Sequence, residues 1–386
     1  MTNTETYVIT GGTVHTGQRV VRGGWLAVAD GLVAGVGEGE VPPDWSDLPR
    51  VDATGHQVVP GFVDIHSHGG GGAAFGAGSS ITDSARTVIA THRSHGTTTM
   101  IASLVTQPMQ VLREAVEVLA DLVEAGDLAG IHLEGPWLSP LHRGAHDPNL
   151  LREPTIEDID FLLGARPGAV KVVTIAPELP GGLDAVRRIV GHGAIAAIGH
   201  TDADAAMATA SVDAGVTLAT HLFNAMLPIH HRAPGPVLAL LEDPRVVVEV
   251  VADGVHLHPI TLEHAARSAG VGRTVFVTDA MAAAGVSDGE YLLGDLVVDV
   301  VDGVARLREG GSIAGSTLTL DVALRYATTV AGIPFEDALA AVTTTPAAVL
   351  GRTDVGNLEP GARADVVVLD ETVTVRDVFR SGERLV

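Results

Sequence analysis

The stretch AIAAIGHTDADAAMATASVDAGVTLATH, residues 194–221, carries one complete structural repeat. Ala194–Ile198 is a continuous apolar run that reads as a strand buried on both faces. Ala203–Ala214 has helical period and stops at Gly215, and Thr217–Thr220 begins a second apolar run. Both runs end on a histidine, His200 and His221. Outward from here the same alternation predicts strands at Phe62–Ile65, Thr97–Leu104, Gly130–Leu133, Val170–Ile175, Val246–Val251 and Thr274–Thr278. Helices such as Ser84–His95, Val111–Ala125 and Leu183–His192 lie between them. Eight apolar strands alternating with amphipathic helices predict an α/β fold, a (β/α)8 TIM-like barrel, over residues 61–349.

The flanks read differently. Tyr7–Thr10, Trp25–Ala29, Leu32–Val36 and Val58–Val59 are short strand signals split by Gly11-Gly12, Gly23-Gly24 and Asp30-Gly31, and Ala364–Leu369, Thr372–Val375 and a run near Val378 resemble them. Neither end holds enough apolar surface to stand alone, so residues 1–60 and 350–386 are expected to pack as one small β-sandwich. Residues 290–309, EYLLGDLVVDVVDGVARLRE, turn at Asp302-Gly303 and predict a β-hairpin inserted after the eighth strand.

Composition excludes several function classes. The chain has 24 Lys plus Arg against 47 Asp plus Glu, a net charge of −23, which disfavours nucleic acid and anionic membranes as partners. It has no cysteine, so thiolate metal sites, disulfides and cysteine nucleophiles are excluded, and its 17 histidines leave imidazole and carboxylate as the metal-binding set. The start, MTNTETYVIT, lacks the basic and apolar parts of a signal peptide, and no apolar stretch reaches the ~18 residues of a membrane span. A soluble, cytoplasmic protein is expected.

In a barrel of this kind chemistry gathers at the carboxyl ends of the strands. There the sequence places His66 and His68 after the first strand, Glu134 after the third, His200 after the fifth, His221 after the sixth and Asp279 after the eighth. His66 and His68, two apart on a strand end, can turn both rings to one ion, although two histidines in a Gly-rich turn can equally face solvent. Glu134 could cap a turn, His200 and His221 could bond backbone, and Asp279 could cap the following Ala-rich run. Their shared position at the strand ends favours a metal centre with Asp279 as a proton carrier.

These residues sit in recognisable motifs. GFVDIHSHG (61–69) and GNLEPGARADVVVLD (356–370) resemble the two ends of the amidohydrolase superfamily. HGTTTMIASLVT (95–106), HLEGPWLSPLHRGAH (132–146), GHTDA (199–203), THLFNAM (220–226), VADGVHLHP (251–259) and VTDAM (277–281) are similar to the N-acetylglucosamine-6-phosphate deacetylases within it. The resemblance runs in order from about Val51 to Asp370. It implies that Glu134, His200 and His221 hold a divalent metal and that His66 and His68 complete a second position found in some members. Zinc is the first candidate, with iron, manganese, cobalt or cadmium as alternatives. It implies Asp279 as acid/base and Ala145, His146, Asn224, Ala225, Asp253, Gly254, Val255, His256, Ile313, Ala314 and Gly315 around the sugar phosphate. It further implies a homodimer in which Arg232 reaches the phosphate in the neighbouring active site; without it, His230-His231-Arg232 reads equally as a solvated loop.

The implied reaction is hydrolysis of the acetamide of N-acetyl-D-glucosamine 6-phosphate to glucosamine 6-phosphate and acetate, as in amino-sugar catabolism and cell-wall sugar recycling. Two rivals remain at this level: a cyclic-amide hydrolase or deaminase on the same barrel, and an inactive sugar-phosphate sensor. The first often uses a modified lysine as bridging ligand, and Lys171, the only lysine, stands at the start of the fourth strand, the wrong end for a ligand.

Overall fold

A computed structural model of the chain describes residues 6–76 and 80–386; residues 1–5, the outermost part of the expected terminal unit, lie outside the described residues. Eight parallel strands, Phe62–Asp64, Thr97–Leu104, Gly130–Glu134, Val170–Ile175, Ile195–Ile198, Val216–Ala219, Val247–Val251 and Thr274–Val277, pair in sequence order. Their side chains are almost all buried, as expected of strands covered by helices on one side and filled by side chains on the other. The helices begin where the sequence supplies caps: the hydroxyls of Ser80 and Thr155 and the carboxylate of Asp204 accept backbone N–H groups of the first turns.

Closure between the first and last strands comes from residues just past their ends. The Asp279 N–H donates to the His66 carbonyl at 2.8 Å, the His68 N–H donates to the Ala280 carbonyl at 2.8 Å, and the Thr278 hydroxyl donates to Asp64 at 2.6 Å. The barrel therefore zips shut at the end where the metal-ligating candidates lie.

Both chain ends enter one eight-stranded sheet, because Val366–Leu369 pairs antiparallel with Gln57–Pro60. The rings of Tyr7 and Phe379 lie 5.4 Å apart although their strands are three places apart in that sheet, about 14 Å if it were flat. The sheet curls over a shared core that includes Ile9, Leu26, Val28, Val366 and Val368, which gives the sandwich-like enclosure. Two local readings change. Thr372–Thr374 form a turn and the strand runs Val375–Arg380, because Asp370 accepts the N–H groups of Thr372 and Thr374. The insertion is a three-stranded meander, Gly289–Leu293, Leu296–Val301 and Val304–Leu307, since Gly294-Asp295 makes a second turn beside Asp302-Gly303. Among the described residues no helix is long and apolar enough to cross a membrane.

Candidate metal centre and catalytic cleft

A cleft of about 400 Å³ opens at the carboxyl ends of the strands, lined in part by His68, Glu134, His146, His200, His221 and Asp279 and edged by Leu293 and Ile313 beside the inserted meander. The Glu134 Oε1 atom lies 3.1 Å from His200 Nε2 and 3.0 Å from His221 Nε2, and Oε2 lies 3.0 Å from His68 Nε2. The Asp279 Oδ1 atom is 3.4 Å from His66 Nε2 and 3.2 Å from His68 Nε2. All six groups are buried.

Whether these residues suit a divalent ion can be judged from the contacts themselves. Two pairs of ring nitrogens face each other, His66 Nε2 with His68 Nε2 at 3.1 Å and His200 Nε2 with His221 Nε2 at 3.0 Å. Ligand atoms about 2.0–2.1 Å from one zinc ion and roughly 90–110° apart would be about 2.9–3.4 Å from each other. The spacing fits a common ion, and imidazole with carboxylate is a donor set that such ions accept. Burial alone would push the His66 and His68 rings down, yet the carboxylates of Glu134 and Asp279 outweigh it, lifting His66 well above its ordinary value and His68 to about 9. Burial likewise opposes ionisation of Glu134 and Asp279, and the neighbouring histidines hold both well below the usual carboxylate range. The site calls for positive charge at its centre, as a metal would supply.

Backbone conformation aims these side chains at the centre. His200, His221 and Asp279 have φ of 48°, 27° and 47°, each at the residue where a strand has just ended. Such left-handed conformations cost about 1–3 kcal/mol each, and they turn side chains that would continue the strand toward the barrel axis. The His142 carbonyl accepts from His200 Nδ1 at 2.9 Å, which leaves Nε2 for the centre.

Glu249 is the functional candidate that sequence reasoning missed. It lies within the apolar run Val247–Val251 of the seventh strand, is fully buried, and takes His66 Nδ1 at 3.1 Å and the His221 backbone N–H at 3.3 Å on the same oxygen. Among the described residues its other oxygen, also buried, has no hydrogen-bond partner. The available signal was a lone carboxylate in a strand otherwise made of valine.

The remaining candidates divide by place. His146 is buried against the centre, 3.5 Å from Glu134, and it receives the Thr106 N–H on Nδ1, so its proton sits on Nε2 facing the cleft. Burial pushes its ring down to about 4, so it is a neutral donor. His256 gives its Nδ1–H to Asp253 at 2.6 Å; burial opposes protonation, but the Asp253 bond and charge raise the ring above its ordinary value. Ala145, Asn224, Ala225, His256, Ile313 and Gly315 line the cleft. Asp253 stands behind His256, Gly254 and Val255 are exposed outside the lining, and Ala314 is buried beneath it. Arg232 is exposed, contacts His231 at 2.6 Å and does not reach the cleft of its own chain. A side chain at Gly315, where φ is 63°, would press to 2.8 Å from the Asp279 carbonyl, so this glycine leaves room for the Asp279 backbone.

The amidohydrolase family profile matches residues 57–385. The chain belongs to the amidohydrolase family. Within this family the chain is 47% identical to an N-acetyl-D-glucosamine-6-phosphate deacetylase of Mycobacterium smegmatis, over 99% of this chain and 100% of that one, with a TM-score of 0.93. That structure is of an aspartate-to-alanine mutant in complex with N-acetyl-D-glucosamine-6-phosphate. An N-acetylgalactosamine-6-phosphate deacetylase of Escherichia coli O157:H7 is 34% identical over 93% of this chain and 95% of its own length. An N-acetylglucosamine-6-phosphate deacetylase of Danio rerio is 36% identical over 87% and 86%.

Proposed function

We propose that this amidohydrolase removes the acetyl group from N-acetyl-D-glucosamine 6-phosphate. The observation that carries the reading is the joining of Glu134, four histidines and Asp279 at one end of a cleft large enough for a sugar phosphate. Glu134, His200 and His221 would hold a divalent ion, zinc being favoured by the donor set, and His66 with His68 would offer a second position. When bound, such an ion acidifies water and polarises the amide carbonyl.

The protein's own groups do the rest. Asp279 accepts the proton of the attacking water on its carboxylate, the water oxygen bonds to the acetamide carbon, and the same carboxyl then gives its proton to the amide nitrogen as the C–N bond breaks. Acetate and the amine of glucosamine 6-phosphate leave. His256, oriented by Asp253, donates to the carbonyl oxygen as it gains charge.

Phosphate binding supports a second subunit. Among the described residues, no Lys or Arg lines the cleft, so a phosphate there needs a cation from elsewhere. Arg232, exposed on its loop, is the group we assign to that task in the neighbouring protomer of a homodimer. Association through uncharged surface elsewhere would leave the phosphate unmatched.

Acetate release measured on the gluco and galacto 6-phosphates, with metal counted in the same sample, tests the reading. Faster turnover of the gluco substrate is expected, and a galacto preference would reassign the sugar; no acetate from either would overturn the reading, leaving another amide hydrolase or deaminase if metal is bound and the sensor if it is not.

A further inference from the structure

A second cleft, of about 260 Å³, lies at the opposite end of the barrel, where Thr98 and Thr99 begin the second strand and Lys171 the fourth. Lys171, Arg352, Arg363 and Arg380 line it, and among the described residues Asp127 is the one acidic group of its lining. Four cations around one small space are notable in a chain with a net charge of −23 and a single lysine.

The nearby carboxylates are already taken. Asp127 pairs with Arg93 at 3.2 Å, Asp354 with Arg352 at 2.6 Å, and Asp365 with Arg363. Among the described residues, neither Lys171 nor Arg380 has a carboxylate within salt-bridge distance. Among the described residues Arg380 donates to the carbonyls of Thr98, at 3.3 Å, and Gly126, at 2.5 Å, which hold it in place without neutralising it. Burial and the charges of Arg93 and Arg363 push its guanidinium down to about 10, a sign of positive charge crowded beyond its local compensation. Part-buried unpaired cations of this kind are costly unless an anion meets them.

We propose that this cleft is an anion site for a tetrahedral phosphate, free or as a small phosphate ester, held by Lys171 and Arg380 with Arg363 and Arg352 at its walls. Guanidinium groups match phosphate oxygens in pairs, and an ammonium group adds a mobile point charge. The long-range repulsion from the acidic surface is screened beyond about 8 Å at physiological salt, so the local charge decides. The site is formed by the barrel floor together with the terminal sheet, which supplies Arg380, and it is independent of which acetamide the carboxyl-end cleft accepts.

The test is calorimetric titration of the metal-loaded protein with inorganic phosphate and, separately, with glycerol phosphate, comparing wild type with Lys171→Gln and Arg380→Gln. A soak with tungstate locates the anion by its anomalous signal. Each variant is expected to weaken binding at least tenfold while kcat and KM for the deacetylation stay within about twofold. Anomalous density beside Lys171 and Arg380 supports the site. Binding unchanged in Lys171→Gln, or tungstate found only at the metal end, overturns it. Because Arg380→Gln also removes bonds between the sheet and the barrel, Lys171→Gln decides if that variant does not fold. Tighter binding of glycerol phosphate than of phosphate would identify an ester as the ligand, and the reverse order the free ion.

Discussion

Replacing Glu249 by glutamine separates a positioning role from simple core packing. Glutamine keeps the shape, and its oxygen can still accept from His66 Nδ1 and the His221 N–H, now at 3.1 and 3.3 Å from the carboxylate. What it removes is the charge. A hydrogen bond to a charged group is worth about 1.5–3 kcal/mol against roughly 0.5–1.5 for a neutral one, so the loss is about 1–1.5 kcal/mol. That is near tenfold in metal affinity, at the lower end of the 10–100-fold typical when a carboxylate behind a ligating histidine is lost. The metal-free protein should respond in the opposite sense. Glu249 is fully buried with one oxygen unpartnered, so a neutral amide is cheaper to bury there. The assay pairs a competitive chelator titration with thermal melts of stripped and loaded protein. We expect weaker metal binding and an unchanged or higher melting temperature in the stripped form. Unchanged metal affinity together with a lower stripped-form melting temperature would refute the argument and leave Glu249 a packing residue.

Asp279→Asn should lower kcat by roughly 10²–10⁴ and leave the metal content intact, read by single-turnover acetate release and elemental analysis. Near-normal turnover would move the proton-carrying role elsewhere. Arg232→Ala should raise KM for the phosphorylated sugar far more than for N-acetylglucosamine, and mixing it with Asp279→Asn subunits should restore some activity if the arginine acts across a dimer; no rescue would count against that arrangement. Chelation should destabilise the protein by about 2.7 kcal/mol relative to metal at a hundred times its Kd, seen as a fall in melting temperature. Gly315→Ala should reduce kcat by displacing the Asp279 carbonyl it would meet at 2.8 Å, while a melt reports whether the strain spreads beyond the loop.

Much of this protein was legible from its sequence because the signals are local. A buried parallel strand must be apolar along its length, and a helix between two such strands must show its period and its stop, so the span Thr97–Leu104 and the strand Val170–Ile175 read off the chain with the bounds they have in the structure. Histidines and acids immediately after those runs could be placed on the carboxyl face without coordinates. The second turn of the meander was harder, since Gly294-Asp295 lies in a run of mostly apolar residues, and Thr372–Val375 has β-branched residues whose neighbour Asp370 instead closes a turn.

What only the tertiary structure decided are relations between residues far apart in sequence. Nothing local in VVVEVVADG tells that Glu249 meets a ring 183 residues away, or that His146 stands against Glu134 with its proton turned to the cleft. The cluster of Lys171, Arg363 and Arg380 likewise exists only because the terminal sheet packs under the barrel floor. The physical reason is the same in each case. Strand and helix periods are properties of adjacent residues, whereas the partner of a buried charge is set by closure of the barrel, which brings the ends of all eight strands to one place.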